Sequence, residues 1–316
     1  MTVPISPEAA AFLAEQPPPP DYTALDGEAG LAFLAAARAP RPRPAPIVPV
    51  PRVEDTTAGP DGPPVRLYRH DPGSPTGALL YLHGGGWVLG DLEMHDHTCR
   101  LLARDTGAAV VSVDYRLAPE HPYPVPLEDC YTALSWVAAH TAELGIDPAR
   151  IGIAGSSSGG NLAAGLALLA RDRGGPATTV QLLLYPVLDA SLATPSFDRY
   201  GTGHFLERAQ MAWFWRCYLG AAAPGPYSAP VLADPTGLPP AVVVLPELDP
   251  LRDEALNYTD MLVAAGVPAT VVHVPGQLHG FLTLPERFPA ATEALARTAA
   301  LATPYLRPAP VAVPAG

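Results

Sequence analysis

An α/β architecture with a mostly parallel central sheet and helices on both faces is what this sequence predicts. Three observations carry that prediction. Eight short runs rich in Val, Ile, Leu and Tyr recur along the chain, near residues 48–53, 65–70, 78–83, 108–114, 150–155, 180–186, 241–246 and 269–274. Helix-like segments separate most of them, near 95–105, 126–143, 158–172, 251–265 and 288–302. Most of the runs are apolar throughout instead of alternating, as expected of strands covered on both faces. At 316 residues the chain is long enough to bury a sizeable core.

The first 46 residues are rich in Ala and Pro. Proline at 17–20 and in the 38–44 stretch excludes helix interior there, but 25–37 suits a helix with Leu31, Phe33 and Leu34 on or near one face. This segment reads as a helical extension followed by a stiff linker. The core then spans 47–302. Its first two runs read as paired strands, and Pro49 and Pro51 confine the first to a sheet edge. More than 50 residues separate the run ending near Pro186 from the one starting near Ala241, too many for a structureless loop. A helical insertion at about 187–238 is expected there. Its centre, 206–219, is aromatic, with Trp213, Phe214, Trp215 and Tyr218, and is expected to meet the N-terminal extension. The tail, 303–316, carries further prolines and is expected to fray.

Composition excludes several functions. A net charge of −12 argues against nucleic acid as a partner. No apolar run is long enough to span a membrane, and the N-terminus lacks the pattern of a secretory signal. The three scattered cysteines, Cys99, Cys130 and Cys217, fit a reducing cytoplasm better than a disulfide framework. The chain has no lysine. That removes Schiff-base chemistry, the Ser-x-x-Lys hydrolases and the lysine-bearing phosphate loop.

The chemistry is concentrated in four places. Gly155-Ser156-Ser157-Ser158-Gly159 lies between a strand run and a helix run. A nucleophile on so sharp a turn needs small residues two before and two after it. Only Ser157 has glycine at both positions, which selects it from three adjacent serines. Upstream, His83-Gly84-Gly85-Gly86-Trp87 follows the 78–82 run. Consecutive glycines let two backbone N–H groups turn toward one point, and with the Ser158 N–H they suit a tetrahedral oxyanion. Downstream come an acid and a base, each just past a strand run, where sites in open α/β sheets collect. Asp249 is the expected acid, with Glu247 and Asp253 as rivals, and His279 is the expected base. His83 is expected to be structural. His95-Asp96-His97 with Cys99 lacks a second ligand pair at suitable spacing, so no metal site is expected.

These motifs resemble the hormone-sensitive lipase-like family of α/β-hydrolases, the carboxylesterases with an HGGGW motif. The resemblance extends over about 75–290 and includes 114–124, Leu127-Glu128-Asp129-Cys130, Asp249-Pro250-Leu251-Arg252-Asp253-Glu254 and His279-Gly280-Phe281. It implies an α/β-hydrolase fold and a Ser157–His279–Asp249 triad. It also implies an oxyanion hole from Gly85, Gly86 and Ser158, and a helical cap built from the N-terminal segment and the late insertion. No cofactor is implied. The expected activity is hydrolysis of small to medium acyl esters, with Trp87, Phe214 and Trp215 lining an apolar pocket; a homodimer is one expected assembly. The family elbow usually reads Gly-Asp-Ser-Ala-Gly-Gly, whereas Ser156 and Ser158 stand here in place of Asp and Ala. That departure leaves open a tailoring enzyme that deacetylates, cyclises or eliminates on a specialised metabolite. A non-catalytic small-molecule receptor is a further alternative, although such receptors on this fold lack the histidine that His279 supplies.

Overall fold

The computed structural model describes residues 4–39, 48–70 and 76–307. In chain order its elements are α1 (Pro7–Glu15), α2 (Gly27–Ala37), β1 (Arg52–Thr57), β2 (Pro64–Arg69), β3 (Thr76–Leu82), α3 (Asp96–Thr106), β4 (Ala109–Val113), α4 (Val125–Ala139) and α5 (Thr141–Leu144). There follow β5 (Ile146–Ser156), α6 (Ser158–Asp172), β6 (Gln181–Leu184), α7 (Pro195–Tyr200), α8 (Arg208–Leu219), β7 (Ala241–Leu248), α9 (Arg252–Ala264), β8 (Ala269–Leu278) and α10 (Pro289–Leu306). The eight strands form one sheet in the order β1-β2-β4-β3-β5-β6-β7-β8. β1 and β2 pair antiparallel, β2 joins β4 antiparallel, and β4 to β8 are mutually parallel.

Successive side chains of a strand point to opposite faces, and β3 shows why its run is apolar throughout. Ala78, Leu80 and Leu82 pack in one core with Leu134 of α4, Leu162 and Leu166 of α6 and Leu262 of α9. Leu79 and Tyr81 face the other core, with Leu101 and Leu102 of α3 and Leu295 of α10. Both faces are therefore dry, and the carboxyl ends of β3, β5, β7 and β8 are left to carry the loops that matter.

Several boundaries differ from the sequence expectation. The first strand begins at Arg52, not near residue 48. Pro49 and Pro51 have no N–H to give a ladder, so pairing starts once they are passed, with Arg52 opposite Arg69. β1 is charged and exposed, and its Asp55 takes a two-pronged bond from Arg66 of β2. The helix expected over 126–143 breaks at His140 into α4 and α5. α10 continues to Leu306, past residue 302, because Leu306 is fully buried among the residues of the second core. The remainder of the tail, 308–316, and the linker at 40–47 lie outside the described residues.

The helix α1 was not expected. Ser6 caps it by accepting the Ala9 N–H, Pro7 occupies its first turn, and Glu8 complements the positive end. Its Phe12 wedges edge-on between Phe205 and Phe288. α2 meets the insertion helix α8 through Phe33, whose ring lies 5.4 Å from Trp213. Trp213 also donates its indole N–H to the Leu25 carbonyl at 2.7 Å. The insertion thus carries α7 and α8 and is held from above by the N-terminal segment.

Candidate active site

β5 runs straight into α6 with Ser157 at the junction, at φ 54° and ψ −119°. A non-glycine residue there is strained, by about 1–3 kcal/mol, and such strain collects at working sites. The turn is possible because nothing but hydrogen projects from Gly159, where a Cβ would stand 2.0 Å from the Leu82 carbonyl oxygen. The strain holds the Ser157 hydroxyl up from the sheet toward the β8 loop.

Asp249 and His279 each stand one residue past the end of their strand, β7 and β8. His279 Nε2 is 2.9 Å from Ser157 Oγ. Its Nδ1 is 2.7 Å from Asp249 Oδ2. Asp249 is wholly buried, and its other oxygen accepts the Leu251 N–H at 2.9 Å. Tyr185 sets its ring edge-on to the imidazole, 4.8 Å between centroids, and limits its rotation. The rivals of Asp249 are engaged elsewhere: Glu247 bonds Arg252 and His273, and Asp253 bonds Arg252.

The glycine loop lies beside this relay. Gly85 and Gly86 both take positive φ, 125° and 63°. The loop is held by the Gly84 N–H on His95 Nε2 at 3.1 Å and by the Leu89 N–H on the Gly85 carbonyl at 2.8 Å. Among the described residues, the N–H groups of Gly85 and Gly86 donate to no protein acceptor. The Ser158 N–H opens α6 and is one of the four that a helix cannot satisfy itself. Gly85 and Gly86 line the same cleft as Ser157, and Ser158 follows it directly in the chain.

His83 is fully buried, stacked on Tyr115 at 4.2 Å, with Nδ1 donating to the Gly84 carbonyl at 2.9 Å. Burial lowers its pKa to about 4. It is therefore a neutral strut under the loop, and Tyr115 adds a second by donating to the His83 carbonyl at 2.7 Å.

Ser157 and His279 open onto a cleft of about 830 Å³, whose apolar wall includes Leu89, Met94, Phe205, Leu206, Phe214 and Leu284. Of the three aromatic residues expected to line it, only Phe214 does so. Trp87 has no exposed surface and stacks on Tyr218 at 4.2 Å, with Trp215 4.6 Å away. The positive φ of Trp87, 62°, turns its side chain into the core behind the loop. Trp215 points the same way, while its neighbour Phe214, one residue round the helix, faces the cleft. Phe205 and Leu206 were missed by sequence reasoning; they precede α8 and their only signal is apolarity in an otherwise polar stretch. One flank of the cleft is polar, with Arg66, Glu93, Asp96 and Arg100 in linked ion pairs.

Comparison with known proteins agrees with this arrangement. Residues 79–283 match a family described as having the alpha/beta hydrolase fold. Carboxylesterase NlhH of Mycobacterium tuberculosis is 42% identical over 294 residues, 88% of this chain and 90% of that protein. An ethyl acetate hydrolase of Pseudomonas putida is 41% identical over 228 residues, 70% of this chain and 72% of its own length. Among solved structures, a thermostable esterase from Pseudomonas putida has a TM-score of 0.86 at 34% identity, covering 97% of this chain and 99% of that one. A hyperthermophilic esterase of Pyrobaculum calidifontis reaches 0.82 at 39% identity, covering 95% and 98%.

Proposed function

The chain belongs to the hormone-sensitive lipase-like carboxylesterases of the alpha/beta hydrolase fold, and from that premise we propose that it hydrolyses small to medium acyl esters through Ser157, His279 and Asp249. The observation that carries the reading is the continuous relay from Asp249 through His279 to Ser157, with separations of 2.7 and 2.9 Å. Ser157 Oγ attacks the ester carbonyl carbon while His279 Nε2 takes its proton. Negative charge moves to the carbonyl oxygen and is met by the N–H groups of Gly85, Gly86 and Ser158. The tetrahedral species collapses, the C–O bond to the alcohol breaks, and His279 returns the proton to that oxygen. Water then repeats the sequence on the acyl-enzyme and releases the acid. Asp249 keeps the proton on Nδ1 and stabilises the imidazolium that forms transiently.

In this reading the cap consists of α1 and α2 together with α7 and α8. It closes the apolar wall of the cleft, and Phe214 and Phe205 face the substrate. Among the described residues no helix is long and apolar enough to cross a membrane. All three cysteines are free thiols, which supports work in a reducing compartment such as the cytoplasm.

A fluorophosphonate probe tests the reading. It should label Ser157, and Ser157→Ala should remove both labelling and hydrolysis of p-nitrophenyl butyrate. Full esterase activity in Ser157→Ala, or labelling of a different residue, would overturn it.

A further inference from the structure

Ser156 occupies the elbow position where the resemblance puts an aspartate, and its hydroxyl is not idle. It is 1% exposed, and its Oγ accepts the Tyr81 hydroxyl at 3.2 Å. Tyr81 Oη is in turn 3.0 Å from His95 Nδ1. His95 Nε2 accepts the Gly84 N–H at 3.1 Å. A backbone N–H can only donate, so Nε2 must be bare. A neutral imidazole then carries its proton on Nδ1, where it donates to Tyr81 Oη. Tyr81, already accepting, donates onward to Ser156. Each bond sets the direction of the next, and the chain ends at an acceptor on residue 156.

The two ends of this chain are the two halves of the oxyanion site. Gly84 begins the loop that carries the Gly85 and Gly86 N–H groups. Ser156 precedes Ser157 and, two positions on, the Ser158 N–H. The halves also touch directly, since a Cβ on Gly84 would fall 2.8 Å from the Ser156 carbonyl oxygen. Contact alone sets a minimum distance between the halves. The chain prevents them from drifting apart.

We propose that His95, Tyr81 and Ser156 are positioning residues that hold the glycine loop at a fixed distance from the elbow, and that position 156 requires a hydrogen-bond acceptor and not a charge. Serine and aspartate share that property, so this sequence keeps the function of the position while burying a neutral group. The inference rests on the esterase reading for its rate effects, but the hydrogen-bond chain itself can be observed without turnover.

The test uses Ser156→Ala, Tyr81→Phe and Ser156→Asp in the full chain. Removing the acceptor or the middle hydroxyl should lower kcat for p-nitrophenyl butyrate about 10- to 100-fold, as expected for donors displaced by a fraction of an ångström. KM should stay within about twofold, and inhibition by a trifluoromethyl ketone, which forms the oxyanion on Ser157, should weaken in parallel with kcat. Ser156→Asp should restore most of the rate lost in Ser156→Ala. Unchanged kcat in both deletions overturns the proposal, as does failure of Ser156→Asp to recover the rate. An equal loss in KM and ketone binding accompanied by a large fall in Tm would show a merely structural role. Nitrogen-15 NMR of the His95 ring supplies the readout independent of activity. The proposal requires protonated Nδ1 and bare Nε2; the opposite tautomer or a doubly protonated ring overturns it. If wild-type protein hydrolyses no ester and Ser157 resists the fluorophosphonate, the esterase reading fails by itself while the NMR result still decides the chain.

Discussion

Asp249→Asn is a nearly isosteric change with a large expected consequence. The carboxylate has two fixed partners: Oδ1 accepts the Leu251 N–H at 2.9 Å and Oδ2 faces His279 Nδ1 at 2.7 Å. The Leu251 N–H can only donate, so the amide must turn its oxygen toward Leu251. Its NH₂ then points at His279 and demands an acceptor on Nδ1. The imidazole answers by moving its proton to Nε2, the nitrogen 2.9 Å from Ser157 Oγ. A ring protonated there cannot take the serine proton. Asp249 is fully buried, so water does not relieve the conflict at its side chain. The wrong tautomer in a triad costs on the order of 10⁴ in kcat, or about 5.5 kcal/mol of barrier. The assay is steady-state hydrolysis of p-nitrophenyl butyrate, with circular dichroism to show an intact fold. KM should change little, because no substrate contact is lost. A kcat within tenfold of wild type would refute the reasoning. So would a comparable collapse in Glu247→Gln or Asp253→Asn, whose carboxylates are tied to Arg252.

Three further experiments separate packing from recognition and locate a titration. Trp87→Ala empties a fully buried site behind the glycine loop and should cost about 3–5 kcal/mol in urea unfolding. Phe214→Ala opens the cleft wall instead, and should shift preference about tenfold toward p-nitrophenyl hexanoate over acetate; unchanged chain-length preference would remove Phe214 from the acyl pocket. The third concerns His83, whose pKa falls to about 4 on burial from 6.5. The unfolded chain takes up this proton near pH 6.5 and the folded chain only near pH 4, so acid favours unfolding across that window. This stability is present above pH 6.5 and is lost as the pH falls through the window, by about 3 kcal/mol. Urea titrations of wild type and His83→Gln should diverge in slope across it, and parallel curves would exclude His83 as the source.

The relay was legible because its requirements are local. A tight strand-to-helix turn needs glycine two places either side, and that arithmetic alone separates Ser157 from Ser156 and Ser158. Asp249 and His279 each follow a β-branched run, and position past a parallel strand is enough to bring them to one edge of the sheet. Side-chain direction was not legible. Trp87 adjoins the glycine loop in sequence, yet its φ of 62° sends the ring into the core. Trp215 and Phe214 are adjacent and equally aromatic, and only the rotation of α8 against the core decides which one meets the cleft. The polar flank was also hidden. Arg66 reaches it from β2, which the antiparallel start of the sheet places beside β4, and no short-range pattern encodes that neighbour. The helix α1 carried its own signals in Ser6, Pro7 and Glu8, but its short Ala-rich run offers only Phe12 and Leu13 as large apolar side chains, too few to show a helical period.

The docking of α1 has a consequence for how the protein is made. Ser6 bonds the Gly276 carbonyl, Gln277 reaches back to Glu8, and Phe12 lies against Phe288. These partners leave the ribosome roughly tens of seconds after α1 itself, at ordinary rates of synthesis. During that interval Phe12 lacks the Phe288 ring to pack against, and a chaperone that shields exposed aromatic residues has a long window in which to engage it. α1 is seated only when the last strand and Phe288, at the start of α10, have emerged. His279 lies one residue past the last strand, so newly made chains should acquire a competent Ser157 relay only at the end of synthesis, together with the seat for α1.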